Sequence, residues 1–130
     1  MSAPVHDDVP SGGAVAAPGA LLDVRGLTGA TPGERATLLQ VSTAFCAPCR
    51  ATHRVLARVA AAVPGVRHLD VDVADAPALA AALAVTATPT VVVLDAAGRV
   101  VVRAEGVPAP GQVAAALARA LPEDGSGSTS

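Results

Sequence analysis

Cys46 and Cys49 are the only thiols in the 130-residue chain, and they stand three positions apart in the run S-T-A-F-C-A-P-C-R, residues 42 to 50. Two cysteines so close together cannot frame a disulfide-stapled fold; in a reducing compartment they point to redox or metal chemistry. The run ATLLQVST (36 to 43) before them is apolar, strand-favouring and bounded by breakers, and from Pro48 onward the spacing turns helical. Cys46 therefore falls where a buried strand gives way to a helix N-terminus. Free N–H groups and the positive end of the helix dipole stabilise a thiolate there, which makes Cys46 the nucleophile. Cys49, about one helical turn further and shielded, is the resolving thiol, placed to close a disulfide once Cys46 has attacked a substrate. Pro48 fits the first turn, where no backbone hydrogen bond is lost, and stiffens the loop.

Metal binding is the chemical rival. Cys46, Cys49 and His53 have the spacing C-x2-C-x3-H, but a closed zinc site needs a fourth ligand and the chain has no second cluster. No metal and no bound cofactor is expected. Covalent haem attachment would need His at position 50, where Arg50 stands. His53 is expected on an exposed helix face, and His6 in a terminal tail. Arg50, Arg54 and Arg58 recur every four residues and line one helix face. Either that face is simply solvated, or Arg50 raises the thiolate fraction of Cys46 and the row favours acidic partner surfaces. Asp70 and Asp72 alternate with Val71 and Val73, so surface placement is expected of them rather than paired carboxylate catalysis.

The elements that must hold this dithiol follow from period and breakers. LLDVRGL (21 to 27) reads as a short first strand and ATLLQVST as the central one. Val55, Leu56, Val59 and Val63 give the following helix a buried face, and Pro64-Gly65 stops it. VRHLDVDV (66 to 73) alternates as a strand. Asp75 is expected to cap a helix with Pro77 in its first turn and Leu79, Ala82 and Leu83 facing inward. TVVVLD (90 to 95) and RVVVRAE (99 to 105) form a hairpin with Gly98 in the turn, and QVAAALARAL (112 to 121) closes the chain as a helix. The order β, β, α, β, α, β, β, α predicts one α/β domain over 21–121, its central sheet flanked by helices. Residues 1–20 and 122–130, rich in Pro, Gly and Ser, are expected to be disordered tails.

Composition excludes other classes. The apolar fraction of 52% rests on 31 Ala and 20 Val with a single Phe and no Trp or Tyr, which suits close packing of helices on a sheet. A net charge of -2 and one aromatic residue remove the electrostatic footprint and stacking platform of a nucleic-acid binder. No run approaches the roughly 18 to 20 apolar residues of a membrane span, and no signal-peptide pattern opens the chain, so a cytoplasmic setting is expected.

These residues resemble the thioredoxin family over about residues 36 to 121. The resemblance rests on F-C-A-P-C-R after a buried strand, on Thr88-Pro89-Thr90 before the hairpin, and on Gly106 after it. It implies a thioredoxin-like fold with a central mixed sheet, a cis bond before Pro89, and a substrate strand pairing with the backbone of Thr88. It also implies a substrate-binding surface of Phe45, Ala47, Pro48, Thr88, Pro89 and Gly106, joined by Val107, suited to docking an extended peptide. Departures are specific: Phe45 replaces the family's Trp, Ala47-Pro48 its Gly-Pro, Gln40 its buried Asp, His68 the Lys that partners that Asp, and Arg54 its helix-kinking Pro. Gln40 cannot accept a proton, and His68 becomes the candidate acid/base. The implied activity is protein thiol–disulfide exchange, in the reducing direction, with disulfide-containing proteins as substrates and a dithiol or reductase as electron donor. A non-catalytic binding module or redox sensor using the same pair is the alternative.

Overall fold

The computed structural model describes residues 17–122; apart from positions 17–20 and 122, the expected tails lie outside them. Eight elements follow in order: α1 (Val24–Thr28), β1 (Ala36–Ser42), α2 (Ala47–Ala62), β2 (Val66–Asp72), α3 (Pro77–Ala82), β3 (Thr90–Asp95), β4 (Val100–Glu105) and α4 (Pro110–Ala120). The four strands form one mixed sheet in the order β2-β1-β3-β4. β1 runs parallel to β2 and antiparallel to β3, and β3 pairs antiparallel with β4. The parallel pair is joined by α2, the crossover such pairing requires.

β1 is buried along its whole length, because helices cover both sheet faces. On one face Leu39, Val41, Val92 and Leu94 pack with Leu22, Val24, Leu79 and Leu83 of α1, α3 and their flanks. On the other, Leu38, Val91 and Val93 meet Leu56 of α2 and Val113 and Leu117 of α4. The alternation along β1 thus feeds two cores, and Leu56, fully buried, pins α2 to the second. The expected α/β class and mixed sheet are what the structure has.

Two local expectations are corrected. The segment 21–27 is a strand only at the single bridge Leu21 to Arg99. It becomes helix α1 because the Asp23 carboxylate accepts the Gly26 N–H at 3.0 Å and Gly29, at φ 77°, ends the turn. Asp75 does not cap α3. That helix starts from Ala76 with no side-chain cap, and the carboxylate that binds the preceding turn is Asp72, accepting the Ala74 N–H at 2.8 Å. The hairpin turn carries Gly98 at φ 94°, as expected.

Among the described residues, no helix is long and apolar enough to cross a membrane.

Candidate active site

Cys46 is the N-cap of α2, in extended conformation, and its sulfur accepts the Cys49 N–H at 3.2 Å. The strand-to-helix junction read from sequence therefore has a physical form: β1 ends at Ser42, a short loop follows, and a cysteine sulfur occupies the place a Ser or Asp oxygen takes at other helix starts. The two cysteines are joined as a disulfide, with 5.2 Å between their Cα atoms. They differ in exposure. Cys46 is partly exposed, whereas Cys49 is buried at 4%. Of the two sulfurs, that of Cys46 is the one within reach from the surface.

The neighbouring loop holds Phe45 in the left-handed region, at φ 57°, with its ring 99% exposed. A bulky residue there is strained and turns its side chain away from the core. Ala47 and Pro48 are exposed on the first turn of α2. Across the loop the Thr88–Pro89 peptide bond is cis, Thr88 shares a hydrogen bond with Thr43 at 3.1 Å, and the Gly106 N–H donates to the Pro89 carbonyl at 3.0 Å. Gly106 adopts φ 86°, a backbone that suits glycine. The chain thus ties the Thr43 loop to Thr88 and Pro89 to Gly106, beside which Val107 is half exposed.

Beneath the dithiol lies a hydrogen-bonded polar cluster. Gln40, wholly buried, donates through its amide nitrogen to the Cys49 carbonyl at 2.8 Å and to Ser42 Oγ at 3.0 Å. Its amide oxygen accepts from His68 Nε2 at 3.0 Å. Ser42 in turn donates to Asp70 Oδ1 at 2.7 Å, and the other Asp70 oxygen accepts from His53 Nδ1 at 2.7 Å. Desolvation by burial, then the nearby His53, lower the pKa of His68, while Asp70 opposes them. An imidazole in that setting is neutral at pH 7, and the Gln40 oxygen fixes its proton on Nε2.

Sequence reasoning missed most of this cluster. The parallel register sets Leu38 beside His68 and Gln40 beside Asp70, so Gln40, Ser42, His68 and Asp70 all point to the α2 face. His53, on α2, is exposed as expected but is paired with Asp70. The signal was present: polar residues occupy every second position of Gln40-Val41-Ser42 and of His68-Leu69-Asp70-Val71-Asp72. Arg50, Arg54 and Arg58 are all exposed. An open cleft of about 440 Å³ joins these features, its wall formed by Phe45, Cys46, Cys49, Arg50, His53 and Asp70.

A mixed sheet covered by helices on both faces, with a C-x-x-C pair at a strand-to-helix junction, defines the class of thioredoxin-fold proteins. A family model described as Thioredoxin matches residues 31–119, and the chain belongs to the thioredoxin family. Among solved structures it is similar to the thioredoxin of Fasciola hepatica, at 27% identity over 68% of this chain and 83% of that one, TM-score 0.59. The fold is shared as well with oxidised mitochondrial thioredoxin 3 of Saccharomyces cerevisiae, at 24% identity over 66% and 79% of the two chains, TM-score 0.58. The Malassezia sympodialis thioredoxin covers more of this chain, 80% against 94% of its own length, at 20% identity and TM-score 0.57. No curated protein sequence matches the chain significantly. The cysteine pair in this fold is consistent with thiol–disulfide chemistry.

Proposed function

We propose that the protein is a protein disulfide reductase that works through a mixed disulfide on Cys46. The single observation that carries this reading is the asymmetry of the pair: Cys46 caps a helix with its sulfur on an N–H donor and is partly exposed, while Cys49 is buried behind it. The Cys46 thiolate attacks one sulfur of a substrate disulfide, forming the mixed disulfide and expelling the other substrate sulfur as a thiolate. Cys49 loses its proton to the solvent of the cleft and attacks Cys46 Sγ. The intramolecular disulfide forms, and the second substrate thiolate leaves. Two electrons pass from the dithiol to the substrate, and an external dithiol or reductase returns them. No bound cofactor takes part.

The surface around Cys46 supports an extended peptide as substrate. Phe45, Ala47 and Pro48 supply one side, and Thr88, Pro89 and Gly106 the other, with the Thr88 backbone as the pairing edge. A reducing, cytoplasmic setting accords with a chain whose only thiols are this pair. His68 enters no step as written, since its Nε2 proton is given to Gln40. It remains the candidate acid/base group only through its other nitrogen.

Trapping tests the mechanism. Cys49→Ser should leave substrate proteins covalently held on Cys46 and released by added thiol, and Cys46→Ser should hold none. Equal trapping by both variants would contradict the assigned roles.

A further inference from the structure

We propose that His53, His68 and Asp70 form a binding site for a divalent transition-metal ion of zinc type, separate from the dithiol. One donor atom from each residue lies within 4.8 Å of the others, and the two imidazole rings are 4.8 Å apart between centroids. Two imidazoles and one carboxylate are a donor set that zinc takes with an open fourth position.

The second layer of contacts is built as metal sites require. A ligating histidine donates its other ring N–H to an oxygen, and a ligating carboxylate is itself held by a hydrogen bond. His68 donates Nε2–H to the amide oxygen of Gln40, which is fully buried. That bond leaves the His68 Nδ1 lone pair free. Asp70 has Oδ1 held by Ser42, itself 8% exposed, and keeps Oδ2 for the third partner. Oδ2 already faces His53 Nδ1 at 2.7 Å. A tetrahedral shell with bonds near 2.0 to 2.1 Å needs donors about 3.4 Å apart. The Oδ2–Nδ1 pair must therefore open and the wider separations close, and exposed His53 is the side chain free to turn. Its proton moves to Nε2 as Nδ1 takes the metal, so no charge is lost from the ring. Arg50 and Arg54 line the same cleft and oppose a cation, which weakens binding relative to a closed structural site. His53 and Asp70 border the open cleft, so a water molecule can serve as the fourth ligand. This set shares His53 with the Cys46, Cys49 and His53 spacing but uses neither cysteine, and the site does not depend on the proposed reductase activity.

The test uses the full chain in its disulfide form, so that no thiolate can bind metal, and measures zinc by competition with a chromophoric chelator. One zinc per chain is expected. His53→Ala and Asp70→Asn should each weaken it at least about tenfold, while His6→Ala leaves it unchanged; circular dichroism shows that the variants keep their fold. Cobalt in place of zinc should give the visible absorption of a tetrahedral nitrogen and oxygen site, lost in both variants. Absence of binding at 1:1 stoichiometry, binding that survives both substitutions, or binding removed by His6→Ala would each overturn the proposal.

Discussion

The side-chain amide of Gln40 donates to the carbonyl oxygen of Cys49 at 2.8 Å, linking the central strand to the backbone of the buried cysteine. The same amide also bonds Ser42 and His68, so every polar atom of a fully buried side chain is satisfied. Gln40→Leu would remove that donor from the Cys49 carbonyl and leave the His68 N–H without a partner, while the Ser42 hydroxyl would keep only its bond to Asp70. The expected loss is about 2 to 4 kcal/mol in urea unfolding, since unpaired buried groups cost roughly 1 to 3 kcal/mol each and some relax toward solvent. A loss below about 0.5 kcal/mol would show that the cluster does not organise this site.

Thr52 gives the opposite case. It is fully buried on α2, and among the described residues its hydroxyl is the buried side-chain oxygen without a hydrogen-bond partner. Thr52→Val keeps the shape and removes the unsatisfied group, so thermal unfolding should show stability unchanged or raised by about 1 kcal/mol. Leu56→Ala, one turn further on the same face, should cost about 2 to 5 kcal/mol by opening a cavity against Val91 and Val93. A destabilised Thr52→Val would mean that its hydroxyl has a partner in solution.

Phe45 separates recognition from stability. Its ring is almost completely exposed, so Phe45→Ala should change stability by no more than about 0.5 kcal/mol. Against a protein disulfide, kcat/KM should fall several-fold. Against a small symmetrical disulfide it should hold, because only a larger partner reaches the ring. Equal losses on both substrates would place Phe45 in the thiol chemistry instead of docking.

The direction of electron flow is open to glutathione equilibration. A reductase should show a potential nearer about -270 mV than the about -120 mV of a strong oxidant. A value at the oxidising end would reverse the proposed direction while leaving the roles of the two cysteines intact.

The parts of the fold that were legible in sequence share a physical character. The continuous apolar runs of β1 and β3 and the helical spacing of α2 carry their own signal, because burial on one or two faces dictates residue type position by position. The dithiol was legible for the same reason, its place depending only on where strand turns to helix. The segment 21–27 was misread because its apolar residues suit either state, and the Asp23 cap with Gly29 decides for helix. The polar cluster depends on strand register: Ser42 and Asp70 are 28 residues apart and meet only because β1 and β2 pair in one alignment. A one-residue slip would send Asp70 to the opposite face.

The central claim is tested most directly by turnover. With a small dithiol as electron donor and a protein disulfide as substrate, the full chain should reduce the substrate well above the uncatalysed rate, and Cys46→Ser should fall to that background. A wild-type rate no faster than the dithiol alone, or a Cys46→Ser variant that keeps its rate, would contradict a reductase acting through Cys46.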